Sequence, residues 1–257
     1  MPTLNTPFGN LFFADHHPHD ANTTPVVLIH GAGSSRLAWP ASFRRLSQHR
    51  VLAVDLPAHG KSEGQSQTTV AAYADALIQF LEAANIQPAI LVGHSMGGAI
   101  AQYIAIHHKQ YVKGLILITT AAKLIVNAKI IETVKLDKVT VANWINEWAW
   151  SPDANDADKQ LAYNAMLEVP AEVLYNDYVA CDGFDIRDQV SNIQAPTFII
   201  GGTHDKMTPL KFSESLAATI PHSELAIIER GGHWLMLEQP ENVASLINDW
   251  LGRQFTS

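Results

Sequence analysis

The sequence predicts an α/β fold built on a mostly parallel sheet, and three observations carry that prediction. Short apolar runs alternate along the chain with longer stretches of helical periodicity. With 257 residues, 47% of them hydrophobic, there is material for one large domain with a substantial core. Finally, Ile90-Leu91-Val92-Gly93-His94-Ser95-Met96-Gly97-Gly98-Ala99 reads as an apolar strand, a sharp turn and the start of a small-residue helix.

Taken in order, an antiparallel edge strand is expected at 11–14, together with the stretch before it. The core strands are expected at 26–30, 51–55, 89–93, 114–119, 197–201 and 224–229. Residues 68–84 carry Val70, Tyr73, Ala74, Leu77, Ile78 and Leu81 on one side, the stripe of an amphipathic helix. Further helices are expected at 96–107, at 210–219 after Pro209, and at 240–251, where Pro240 fits a first turn. Residues 121–189 break the alternation. They hold helical patches rich in aromatics (Trp144, Trp148, Trp150, Tyr163, Tyr175, Tyr178) and no clean strand, which suggests a helical insertion of the kind that forms lids. The organisation expected is a core of 1–120 and 190–257 with a cap at 121–189.

A formal net charge of −8 without a Lys/Arg cluster argues against nucleic acid and anionic membranes as partners. Cys181 is the only cysteine, so neither an intrachain disulfide nor a cysteine metal site is expected, and it reads as a small core residue. His16-His17-Pro18-His19 reads as a solvated loop, since no carboxylate or cysteine ligand pattern accompanies it. Residues 1–20 show no secretory pattern, and no run reaches the ~18 apolar residues of a membrane helix. A cytoplasmic protein without membrane insertion is the expectation, as monomer or homodimer.

A strand that reverses into a helix pushes its apex side chain out beside the helix N-terminus, where backbone N–H groups meet a developing negative charge. Ser95 holds that apex. A serine hydroxyl needs a general base, and the base needs an orienting acid. Of twelve histidines, His233 stands in Arg230-Gly231-Gly232-His233-Trp234, a glycine-flanked loop after the last predicted strand. Loops at the C-terminal edge of parallel strands face the site in open α/β folds. Asp205, in Gly201-Gly202-Thr203-His204-Asp205-Lys206-Met207-Thr208-Pro209, leaves the preceding strand at the same edge. Its rivals Asp182, Asp185 and Asp188 precede that strand. Asp55 reads as the anchor of a turn, fixing backbone amides near the site. For the oxyanion hole, Met96 N–H is the first donor and Ala32 N–H, in His30-Gly31-Ala32-Gly33, the second, with Gly33 in reserve. Gly31-Ala32-Gly33 lacks the Gly-Lys-Ser/Thr ending of a phosphate loop.

These motifs together resemble a serine hydrolase of the α/β-hydrolase superfamily, in its small esterase-like branch with a helical cap. The resemblance runs through His30-Gly31, Asp55…Gly60…Ser62, Gly93-His94-Ser95-Met96-Gly97-Gly98 and Gly201…Asp205…Pro209 to Gly232-His233. It implies a sheet of about eight strands, a Ser95–Asp205–His233 triad, Ala32 and Met96 as oxyanion donors, and no cofactor or metal. Dehalogenases and epoxide hydrolases of this fold attack with aspartate, whereas position 95 is serine. The expected reaction is cleavage of a small, neutral, largely apolar carboxylic ester through an acyl-enzyme on Ser95. Two other readings stay open: a meta-cleavage carbon–carbon hydrolase or enol-lactonase, and a hydrolase-fold ligand receptor with little turnover. Members of the carbon–carbon group often carry asparagine where this chain has His94. Gly31, Gly33, His94, Trp144, Trp148 and Trp234 are the candidate pocket residues, with Trp150, Met166 and Leu167 as further cap residues. Arg36 reads as a surface residue starting a helix.

Overall fold

The computed structural model describes residues 2–16, 24–46 and 49–255. The chain opens with a hairpin, β1 (Thr3–Thr6) and β2 (Gly9–His16), followed by β3 (Val26–Ile29), a short helix α1 (Ala41–Arg44) and β4 (Val51–Val54). Then come α2 (Val70–Ala84), β5 (Ala89–His94), α3 (Met96–His107) and β6 (Val112–Ile118). Four helices follow before the next strand: α4 (Ala128–Val134), α5 (Lys138–Trp148), α6 (Asp156–Glu168) and α7 (Ala171–Asp182). The chain ends with β7 (Thr197–Gly202), α8 (Lys211–Thr219), β8 (Ser223–Ile228), α9 (Leu235–Glu238) and α10 (Pro240–Phe255).

The strands form one eight-stranded sheet in the order β1-β2-β4-β3-β5-β6-β7-β8. Only the β1–β2 and β2–β4 pairings are antiparallel; β4 through β8 run parallel. The fold class is the predicted one. Parallel strands covered on both faces read as continuous apolar runs, and β3, β4, β5 and β7 are buried at every residue. Alternate side chains serve two cores. Val27, Ile29, Leu91, Leu115 and Leu117 pack with α2 and α3. Val26, Leu28, Ile90, Val92 and Ile116 pack on the other face with Phe43 and α10.

Differences from expectation lie at element ends. The Thr69 side chain accepts a hydrogen bond from Ala72 N, so α2 starts at Val70, and Asn85 in the left-handed region closes it. His30 and Asp55 fall just past their strands, because their side chains serve the loops there. His16 ends β2 instead of lying in a loop, and His17, Pro18 and His19 lie outside the described residues. Cys181 is buried, as expected of a core residue, and burial beside Asp177 pushes its thiol pKa well up. Among the described residues no helix is long and apolar enough to cross a membrane.

Candidate active site

The elbow forms because β5 runs into α3 with one residue between them. That residue, Ser95, has φ 52° and ψ −116°, a conformation that costs a non-glycine residue about 1–3 kcal/mol unless its surroundings enforce it. Close packing enforces it here. A Cβ on Gly97 would stand 2.2 Å from the Ile29 carbonyl oxygen, and one on Gly93 2.3 Å from that of Gly97. The Ser95 amide donates to Ile118 O (3.1 Å), and its carbonyl accepts from Thr120 Oγ1 (2.8 Å). Met96 is the first residue of α3, so its N–H has no acceptor within the helix.

Asp205 and His233 meet across the ends of β7 and β8. His233 Nδ1 lies 3.0 Å from Asp205 Oδ2 and 3.3 Å from Thr208 Oγ1. The carboxylate also accepts from the amides of Met207 and Thr208 (2.8 Å each) and from Thr208 Oγ1 (2.6 Å). Asp205 therefore both shapes its own loop and orients the imidazole. An Nδ1 that donates to Asp205 leaves Nε2 as the basic nitrogen. Burial alone would raise the Asp205 pKa, but the charge and hydrogen bond of His233, with the Thr208 bonds, bring it down to about 2. Because the folded value lies below the ordinary 3.8, the resulting stability is present above pH 4 and lost as pH falls toward 2. Acid unfolding followed by circular dichroism should show about 2 kcal/mol of this loss in the wild type and a flatter curve in Asp205→Asn.

The base loop is itself held. The His233 carbonyl accepts from His94 Nε2 (3.0 Å) and Thr119 Oγ1 (2.9 Å), and its amide donates to Ala149 O (2.7 Å). The His94 ring lies between those of His233 and Trp234, at 4.9 and 5.0 Å. Burial, reinforced by His233, keeps the His94 pKa well below the ordinary histidine value, so its neutral ring donates from Nε2.

A cavity of about 660 Å³ opens over Ser95. Ala32, His233, Trp144, Trp148, Ile130, Ile145, Met207 and Phe212 are among its walls. A recess of about 30 Å³ shares Ala32, Ser95 and His233 with it and adds His94, Met166 and Trp234. Trp150 lies outside both, stacked on Trp234 at 6.1 Å, and Leu167 is partly buried in the core. Gly31 and Gly33 are not on either wall. Gly31 is pressed against His94 and Ser95, Gly33 against Leu174, and the tight fit explains both glycines better than contact with a ligand does. Gly33 N–H already donates to Asp177 Oδ2 at 2.7 Å, which removes it as a reserve oxyanion donor.

One further expectation changes. Arg36 is buried, not a surface residue: Nη1 lies 2.6 Å from Asp55 Oδ2 in the interior. Asp55 also accepts from the amides of Arg36 (2.7 Å) and Lys61 (3.0 Å), anchoring the turn as anticipated. Asp182 and Asp185 are tied elsewhere, to Val126 N and to Arg187 and Lys123.

Asp177, on α7, had no sequence signal. Wholly buried, its carboxylate accepts from Gly33 N, from His59 Nε2 (2.8 Å) and from Tyr73 OH (2.5 Å). His59 Nδ1 faces Pro57 O at 2.9 Å. Both ring nitrogens thus face acceptors, as an imidazolium requires. Burial alone would lower the His59 pKa; the Asp177 charge and hydrogen bond hold it above the ordinary value. Thr208 was likewise missed, although an Asp followed three residues later by Thr is a recognisable turn pattern.

Known proteins agree with this architecture. Residues 26–246 match the profile of the alpha/beta hydrolase family. A 2-hydroxymuconate semialdehyde hydrolase of Pseudomonas putida is 27% identical over 249 residues, 88% of this chain and 86% of that protein. A pimeloyl-[acyl-carrier protein] methyl ester esterase of Vibrio cholerae serotype O1 is 26% identical over 232 residues, 84% of this chain and 89% of the relative. Among solved structures, a thermophilic esterase from Thermogutta terrifontis superposes with a TM-score of 0.90 at 25% identity, covering 99% of both chains. A match over most of its length, on an eight-stranded sheet with a serine elbow, shows that this chain belongs to the alpha/beta hydrolase family.

Proposed function

We propose that the protein is a serine hydrolase that cleaves carboxylic esters through an acyl-enzyme on Ser95, with His233 as base, Asp205 as its orienting acid, and the Ala32 and Met96 amides as oxyanion donors. The observation that carries this reading is the 3.0 Å Asp205–His233 bond, with His233 and a serine at φ 52° lining one cavity. His233 Nε2 takes the proton of Ser95 Oγ as the oxygen attacks the carbonyl carbon. The carbonyl oxygen gains its charge at the two amides, each worth roughly 3 kcal/mol. The tetrahedral intermediate then expels the alcohol, which takes the proton from His233, and water repeats the sequence to free the acid. In this reading residues 121–189 act as the cap over a core of 1–120 and 190–257. Support comes from Trp144 and Trp148 on the cavity wall.

A fluorophosphonate probe tests the nucleophile. Peptide mapping is expected to find a single adduct on Ser95, and an adduct on Cys181 or on another serine overturns the assignment. Turnover of a panel of simple esters, lactones and a vinylogous diketone then separates ester cleavage from carbon–carbon cleavage, and absence of any turnover favours a receptor.

A further inference from the structure

The large cavity carries a charge pattern opposite to that of the chain. Acidic residues outnumber lysine and arginine by 25 to 17, so a wall drawn at random would hold more carboxylates than ammonium groups. Instead Lys123, Lys129 and Lys206 line the cavity, and among the described residues no Asp or Glu does. Two of these lysines have no ion-pair partner among the described residues. Among the described residues the lysine ion pairs are Lys123–Asp185, Lys135–Glu172 and Lys159–Asp156, and neither Lys129 nor Lys206 belongs to any. Lys123 is only partly neutralised, because Arg187 also holds Asp185, through two bonds of 2.9 and 2.8 Å.

Exposure matters as much as sign. Lys129 and Lys206 are exposed members of the lining, whereas Leu124, Ile130, Trp144 and Phe212 give the cavity apolar wall. An anion at these exposed ammonium groups keeps part of its hydration, so it avoids the cost of burying a charge. The space of about 660 Å³ far exceeds the needs of a small neutral ester.

We infer that the substrate is an anionic ester: an apolar arm runs from the scissile carbonyl at Ser95 along the cavity and ends in a carboxylate, or an equivalent anion, held between Lys129 and Lys206. This rests on the proposed ester hydrolysis and replaces the expectation of a neutral substrate.

The test compares monomethyl adipate and monomethyl suberate with methyl esters in which an isopropyl group replaces the free carboxylate. Wild type is expected to favour the charged ester at least tenfold in kcat/KM. In Lys129→Met/Lys206→Met that ratio should fall about tenfold, and raising salt from about 0.05 to 0.5 M should reduce it in wild type alone. A wild-type ratio near one, or a ratio unmoved in the double variant, overturns the inference while leaving ester hydrolysis standing. If neither ester turns over, the proposed reaction fails instead. Adipate protection of Ser95 against the fluorophosphonate then decides the anion site: protection in wild type but not in the double variant supports it, and equal labelling overturns it.

Discussion

Ser95→Ala is expected to lower kcat for p-nitrophenyl acetate by about 10⁶-fold, and Asp205→Asn by about 10⁴-fold. Under the proposed mechanism alanine removes the attacking oxygen, so what survives is whatever the amides at Ala32 and Met96 contribute to water attack. Asparagine keeps the shape of the Asp205 loop, because its carbonyl can still accept from the Met207 and Thr208 amides, now at 2.8 Å. It cannot, however, hold the His233 tautomer that leaves Nε2 basic. The two losses should not add in the double variant, since serine and acid act in one proton transfer. The check is steady-state kinetics on proteins whose circular dichroism overlays the wild type. Equal background rates in Ser95→Ala and wild type would falsify the hydrolase reading. A large effect from Asp182→Asn in place of Asp205→Asn would move the acid.

The sheet was legible because its physics is local. Strands buried on both faces must be apolar at every position, and the runs at β3, β4, β5 and β7 could be little else. The elbow was legible for the same reason: a turn that tight excludes side chains at positions 93 and 97. Strand ends were not, because what stops β4 is Asp55 turning to serve Arg36 and Lys61. Arg36 itself was misread, since its counter-ion lies nineteen residues away, on another loop. Within the insertion, α6 is polar nearly all round, with only Met166 buried, so periodicity could not delimit it. Asp177 is the extreme case. Its partners Gly33, His59 and Tyr73 are 144, 118 and 104 residues distant, and no spacing rule spans such separations.

That buried carboxylate carries the largest expected effect on stability. Asp177→Ala leaves three donors without an acceptor: the Gly33 amide, the Tyr73 hydroxyl and the His59 ring. It also removes the charge and hydrogen bond that hold the His59 pKa up, beside His30, whose own pKa burial and the His59 charge depress to about 4. Breaking a buried pair from one side costs about 3–5 kcal/mol, and in a domain of this size the melting temperature should fall on the order of 10 °C. The pH dependence has a definite sign. His59 titrates above 6.5 in the folded protein, so the pair's contribution is complete below pH 6.5 and fades as pH rises through the raised value. Urea unfolding of wild type and Asp177→Asn, at about pH 6 and about pH 10, should therefore show a gap that narrows on the alkaline side. A gap independent of pH would mean that His59 is neutral and that Asp177 acts as a hydrogen-bond acceptor alone. A narrowing gap would mean that α7 is fastened to the Gly31–Gly33 loop by a charge. The insertion and the amide loop beside Ser95 would then share one electrostatic joint, which loosens in alkali.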